Sequence, residues 1–218
     1  METAQKKEDS GKKEGRKIEK VERQVMWLFA IFGVLILGFL IGYFLLLPKP
    51  YFEYHGLKVY PTKLEGFSTI FYALPLKSAS GNNGTLVLRS DPRRLENITL
   101  NINESLYGGI EKIWFTTDPD MPSSSTLAMG EIGRFVTFMG VNTSFALTRN
   151  STNIDQIDCT NATSSVRVIE IRLGNETRVY SEGYCIIVEG EDSENVIAAA
   201  DRLTFSWVER ILIGTKKQ

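Results

Sequence analysis

The chain has 218 residues, with 25 Lys and Arg against 26 Asp and Glu, and this near-neutral balance gives no indication of nucleic acid as a partner. About 170 residues follow its one long apolar run, enough for a single domain with a proper core. The only histidine, His55, excludes a zinc site built on several histidines, and we interpret it as a structural or surface residue.

Residues 1–25 predict a disordered, charged tail. The first 26 residues contain eight Lys and Arg and six Asp and Glu, and they contain no aromatic residue. Such a segment cannot bury enough apolar surface to offset the entropy that ordering would cost.

A transmembrane helix is predicted at residues 26–47. Trp27 to Leu47 is a run of 21 residues without a charge, long enough to cross a bilayer as one helix. No small-x-small cleavage site ends the run, so we interpret it as an uncleaved signal-anchor. Basic residues are concentrated before it, which places the N-terminus in the cytoplasm and the C-terminus outside the cell membrane. Gly38 and Gly42 would let two such helices approach closely, so a homo-oligomer is a secondary hypothesis.

Seven Asn-x-Ser/Thr triplets lie beyond this helix, where chance would give roughly two. They predict N-glycosylation of the exported part of the chain. The candidate acceptors are Asn83, Asn97, Asn103, Asn142, Asn150, Asn161 and Asn175.

The outer part, residues 48–218, predicts an α+β domain with a mixed sheet and two main helices. A division into lobes at about 48–148 and 149–218 stays open. The predicted strands are 51–60, 67–76, 85–88, 98–102, 111–117, 143–148, 166–173 and 178–188.

Local patterns predict four further features of this domain. Asp91 followed by Pro92 has the pattern of an N-cap and a first helical residue. An amphipathic helix between the strands at 111–117 and 143–148 predicts a crossover within one sheet. Gly174 to Glu176 predicts a hairpin turn with Asn175 at its tip. The last helix, at 193–213, carries one apolar stripe.

Cys159 and Cys185 are the only cysteines, and in an oxidising compartment the simplest prediction is one disulfide between them. That bond would close a loop of about 27 residues and stabilise the fold by roughly 3 kcal/mol. A metal pair or a catalytic thiol is the alternative, but the chain has no CxxC motif to support it.

Two clusters of charge are weaker candidates. Arg89, Arg93 and Arg94 surround a predicted helix start and would suit a phosphate or carboxylate, unless they pair with neighbouring acids. The acidic turns would suit Ca²⁺ or a hydrolytic carboxylate pair, although helix capping explains the same residues. These acids are Asp118, Asp120, Glu189, Glu191 and Asp192. We assign no catalytic residue, metal or cofactor from the sequence.

Four segments carry a family resemblance: 88–95, 159–163, 185–190 and 198–203. Together they resemble uncharacterised single-pass membrane proteins of archaea, which have a charged tail and an outer αβ domain. The resemblance implies an archaeal plasma membrane and archaeal N-glycans, and it carries no activity or ligand. A eukaryotic endoplasmic-reticulum or surface protein fits the same topology.

These observations predict a non-catalytic, membrane-anchored binding or assembly module with a protein partner in an envelope complex. The alternative is a membrane-tethered ectoenzyme, or an anion- or metal-binding domain, that uses the acidic turns and the Arg cluster. A polar pocket that joins Asp118 or Glu189 to Arg93 would favour the enzyme. An exposed apolar patch would favour a partner surface.

Overall fold

The chain divides into two compact units, residues 1–49 and residues 50–218. The computed structural model describes Arg23 and residues 25–43, 50–63, 65–66, 68–78, 81–149 and 154–214. Most of the predicted tail, the end of the predicted membrane helix at 44–47 and the sequon at Asn150 lie outside the described residues.

Apart from Arg23, the described part of the first unit is the helix α1, Val25–Tyr43. Its 19 residues are apolar enough and long enough to cross a membrane. Gly38 and Gly42 lie on this helix, and no atom comes within 4 Å of the position that a Cβ would take at either glycine.

The second unit is an α+β domain with mixed sheets, as the sequence predicts. In chain order its elements are β1 (Phe52–Tyr54), β2 (Leu57–Lys63), β3 (Ile70–Lys77), β4 (Asn83–Leu88), α2 (Pro92–Leu95), β5 (Thr99–Asn101), β6 (Lys112–Thr117), α3 (Ser123–Phe138), β7 (Asn142–Leu147), β8 (Val166–Leu173), β9 (Arg178–Glu182), β10 (Cys185–Gly190) and α4 (Ser193–Gly214). Short 3₁₀ turns lie at Glu104–Tyr107 and Cys159–Asn161.

The first four strands form an antiparallel sheet in the order β1-β2-β3-β4. The prediction of one strand at 51–60 is wrong, because a tight turn divides this segment into β1 and β2. His55 and Gly56 form the turn with φ angles of 50° and 75°. A two-residue turn with positive φ at both positions has a twist that matches the right-handed twist of the flanking strands, so it joins β1 and β2 as a hairpin. The predicted start of α2 is confirmed, since the Asp91 side chain accepts a hydrogen bond from the Arg93 N–H.

The other six strands form a second sheet in the order β5-β9-β10-β8-β6-β7. The predicted crossover is confirmed: β6 and β7 are parallel neighbours, and α3 connects them. Strands from both sides of residue 148 share this sheet.

The predicted hairpin at Asn175 is wrong. β10 lies between β9 and β8, antiparallel to the former and parallel to the latter, and the tight turn is at Gly183 between β9 and β10. All six residues of β10 are buried. A run of this kind needs a paired neighbour on each edge and cover on each face, so it takes a central position in the sheet.

The two long helices, α3 and α4, form a layer that contacts both sheets. On one side they share a core with Phe115, Ile169 and Ile186 of the six-stranded sheet. On the other side the Tyr54 ring stacks on Phe205 at 5.6 Å. The sequence predicts one apolar stripe on α4, but α4 is buried around most of its circumference from Ala199 to Val208. Two sheets cover it instead of one, which a pattern of local periodicity does not reveal.

Candidate functional site

A cleft of about 960 Å³ lies between α3 and the edge strand β7, and we call it the edge groove. It is lined by Arg89, Ser123, Thr126, Leu127, Gly130, Glu131, Gly133, Arg134, Thr137, Thr143 and Phe145. Most of these residues are apolar, small or hydroxyl-bearing, and a few charged groups converge among them. Such a combination is typical of ligand sites.

Two glycines on α3 keep the groove open. A Cβ at Gly130 would meet no atom within 4 Å, and one at Gly133 would lie 3.6 Å from the Phe115 ring and 3.7 Å from the Phe145 ring. Neither distance excludes a methyl group. Glycine inside a helix costs about 0.5–1 kcal/mol relative to alanine. Packing therefore does not require these glycines, and their effect is to leave space in the groove.

The outer edge of β7 is partly open. The Leu147 N–H donates to the Asp155 carbonyl at 3.0 Å, and the Ile157 N–H donates to the Leu147 carbonyl at 3.0 Å. The backbone groups of Leu147 therefore point away from β6, and by alternation those of Thr143 and Phe145 do the same. Within the described ranges, no segment forms backbone hydrogen bonds with Thr143 or Phe145 on this edge.

Large apolar side chains are exposed along the same edge. Phe145 stacks on Phe115 with ring centres 5.6 Å apart, but 54% of its surface remains exposed. Ile154, next to Asp155, whose carbonyl accepts the Leu147 N–H, is 49% exposed. An apolar patch beside an unpaired strand edge is a surface that proteins normally cover.

A buried carboxylate lies at the side of the groove. The side chain of Glu131 is only 9% exposed, and its Oε1 accepts a hydrogen bond from Arg89 Nε. Its other oxygen, Oε2, is buried without a hydrogen-bond partner among the described residues. Such an oxygen carries an uncompensated desolvation cost unless a ligand supplies a donor.

A second buried acid lies behind the first. Asp201 on α4 accepts the backbone N–H groups of Arg89 at 3.0 Å and Ser90 at 2.7 Å. Burial raises the pKa of Asp201 to about 7, and the charge of Glu131 acts in the same direction. The residues that follow β4 are therefore hydrogen-bonded to both long helices, to α3 through Glu131 and to α4 through Asp201. Neither acid was singled out in the sequence, because helix periodicity alone makes Glu131 and Asp201 ordinary polar positions.

The Arg cluster does not converge on one site. Arg89 pairs with Glu131, whereas Arg93 pairs with Asp91 and lies over the Phe52 ring at 4.4 Å. The hydrogen bond from Arg93 lowers the pKa of the Asp91 carboxyl. Arg94 is exposed. This arrangement resembles the alternative in which arginines pair with neighbouring acids, and anion binding stays a prediction.

The acids of the two predicted acidic turns pair with different residues and do not form one site. Asp118 and Asp120 both pair with Arg149, the latter at 2.6 Å. His55 contacts Glu96 at 3.0 Å and also contacts Glu209. In the described residues, no ion pair joins Asp118, Glu189 and Arg93.

The two cysteines meet on the face of the six-stranded sheet opposite the helices. Their sulfur atoms lie at disulfide distance, 2.08 Å, with the Cα atoms 5.2 Å apart. Glu170 of β8 places Oε2 3.2 Å from the Cys159 sulfur. Cys159, Glu170 and Cys185 are thus close enough to share a metal ion, but sulfurs that are bonded to each other offer no thiolate ligand.

A polar network continues from Glu170 across three strands. Arg172 lies 3.5 Å from Glu170 and 3.3 Å from Glu189, and the Tyr180 hydroxyl lies 3.3 Å from the same Glu189 oxygen. Burial raises the pKa of Glu170. Glu189, predicted as a capping or calcium-binding acid, is therefore a buried acceptor for Arg172 and Tyr180. The parallel pairing of β8 and β10 brings these groups together, and the sequence did not reveal it.

The six described sequon asparagines are all exposed. Two of them make local hydrogen bonds through Oδ1: Asn161 accepts the Asp158 N–H at 2.9 Å, and Asn103 accepts the Ser105 N–H at 3.1 Å. The amide nitrogen, which is the atom that N-glycosylation modifies, is not used in either bond.

Compared with known proteins, the chain matches no protein-family model, no curated protein and no solved structure. The resemblance to archaeal membrane proteins therefore stays a prediction.

Proposed function

We propose that this protein is anchored in the cell membrane by α1 and that its outer α+β domain, N-glycosylated, binds a protein partner in an envelope complex. The length and composition of α1 support the anchor. The excess of Lys and Arg before α1 supports a cytoplasmic N-terminus. The exposed sequons and the cysteine pair at disulfide distance support an oxidising outer compartment.

The open edge of β7 carries the binding proposal. It combines backbone groups that have no partner among the described residues with Phe145, a large apolar residue that is 54% exposed beside the edge groove. A glycan at Asn142 would begin on the opposite face of the sheet from Phe145, because the two residues are three apart in β7. The ectoenzyme alternative has less support, since its acids pair with different arginines at separate places.

Topology tests the first half of the proposal. External protease applied to sealed native cells is expected to digest the domain and to spare the tail. Mass spectrometry of the domain is expected to find glycans on sequon peptides and no free thiol. A protected, unglycosylated domain with two reduced cysteines would refute the anchoring and the outer location together.

Photocrosslinking tests the second half. A photoreactive residue is placed at Phe145 in one variant and at exposed Lys77, the last residue of β3, in a matched control. In native membranes, the Phe145 variant is expected to yield a crosslinked protein that the Lys77 variant does not. Equal crosslinking from both positions, or none from several exposed positions on the domain, would argue against a binding module.

A further inference from the structure

We propose that the edge groove binds an extended, acidic peptide segment of the partner protein, which adds as a strand to the open edge of β7. This inference rests on the proposed binding function and specifies its site and ligand.

Another segment of the chain already pairs with part of the outer edge of β7. The segment that includes Asp155 and Ile157 pairs in parallel with Leu147. The groups of Thr143 and Phe145 point in the same direction and have no backbone partner among the described residues. Strand addition at such an edge is a general mode of peptide recognition, in which main-chain bonds supply affinity and alternate side chains supply specificity.

The groove provides the place for those alternate side chains. A strand beside β7 would direct every second side chain toward α3, where Gly130 and Gly133 leave space. An apolar side chain there would cover Phe145, which the domain alone leaves more than half exposed. The glycines, unfavourable in a helix and unnecessary for packing, are explained by this role.

The charged groups set the chemistry of the ligand. Arg134 lines the groove, is exposed and has no ion-pair partner within the part of the chain that the structure describes. Arg89 is occupied by Glu131. Among the described residues, the groove therefore presents one positive charge without an ion-pair partner, and this charge favours an acidic residue in the ligand. The buried Oε2 of Glu131 accepts a donor, and a peptide amide can supply it.

The test uses the full chain in lipid nanodiscs and a displayed library of short random peptides as the probe. Selected peptides are expected to carry an acidic residue and to have apolar residues at alternate positions. Their affinity is expected to fall at least about tenfold with Gly130→Leu, which fills the groove, and with Arg134→Glu, which reverses its charge. Lys77→Glu is the matched charge reversal outside the groove and is expected to have no effect.

The edge itself is tested by Thr143→Pro, which removes an outward N–H and leaves the bonds between β6 and β7 in place. Proline at this position also abolishes the sequon at Asn142, so Asn142→Gln, which removes the sequon alone, is its control and is expected to bind peptides normally. Circular dichroism and thermal unfolding establish that each variant is folded. Failure to enrich any peptide, or peptides that bind the Gly130→Leu and Arg134→Glu variants as well as the original, would overturn the proposal. Concentration-dependent self-association that is lost in the same variants would overturn it in favour of a second copy as the occupant.

Failure of this inference is distinguishable from failure of the proposed function. If the native partner crosslinks from another surface and the groove variants bind it normally, the binding module stands and the groove assignment falls. If peptides bind as expected but the domain is found inside the cell, the groove assignment stands and the proposed location falls.

Discussion

Glu131 on α3 and Asp201 on α4 are two buried carboxyl groups that both hold the end of β4. Glu131 binds the side chain of Arg89, and Asp201 accepts the backbone N–H of the same residue. The two acids are close enough that the charge of Glu131 adds to burial in raising the pKa of Asp201.

The first prediction concerns pH. Because the pKa of Asp201 is raised to about 7 in the folded protein, the folded state binds more protons than the unfolded state between pH 4 and 7. The free energy of unfolding should fall as pH rises through this window, by at most about 4 kcal/mol at about 1.4 kcal/mol per pKa unit. Denaturant unfolding of the wild type and of Asp201→Asn measures the effect.

Asn keeps an acceptor for the N–H groups of Arg89 and Ser90 but does not ionise. The Asp201→Asn variant should therefore be less sensitive to pH in this window and at least as stable as the wild type above pH 7. Identical pH profiles for the two proteins would show that Asp201 does not titrate as described.

The second prediction contrasts two glycines. Gly130→Ala should stabilise the domain by about 1 kcal/mol, because the position is inside a helix and nothing crowds the new methyl group. Gly84→Ala should destabilise it by roughly 1–3 kcal/mol, since its Cβ would lie 2.5 Å from the Phe138 ring. Thermal unfolding of both variants measures the difference. A destabilised Gly130→Ala variant would mean that this glycine serves the fold and not the groove.

The third prediction concerns the cysteine pair. If the disulfide forms, replacing Cys159 and Cys185 together by alanine should lower the free energy of unfolding by about 3 kcal/mol, mainly because the unfolded chain loses a constraint. A reducing agent should bring the wild type to the same stability. A reductant without effect on the wild type, together with two thiols that react after denaturation, would contradict the prediction.

The fourth prediction concerns the network on the outer sheet face. Arg172→Met should destabilise the domain by about 2 kcal/mol, because it leaves the buried Glu189 and the partly buried Glu170 with fewer donors. The partial exposure of Arg172 limits the effect to this size. Arg149→Met removes exposed ion pairs with Asp118 and Asp120 and is the matched control. Equal unfolding midpoints for the two variants would show that burial adds nothing to the network.

Some features of this protein follow from sequence alone because they depend on neighbours along the chain. The apolar length of α1, the N-cap at Asp91 and the β6-α3-β7 crossover are of this kind. Composition, capping chemistry and hydrophobic periodicity act over a few residues, so each can be read without knowledge of the rest of the fold.

Other features were decided only by the tertiary structure. The insertion of β10 between β9 and β8, the burial of α4 between two sheets and the approach of Glu170 to Cys159 all join residues that are distant along the chain. Strand order follows from which arrangement buries the most apolar surface with its backbone groups paired, and that choice involves the whole domain at once. The edge groove is of the same kind, because its space exists only where α3 and β7 meet.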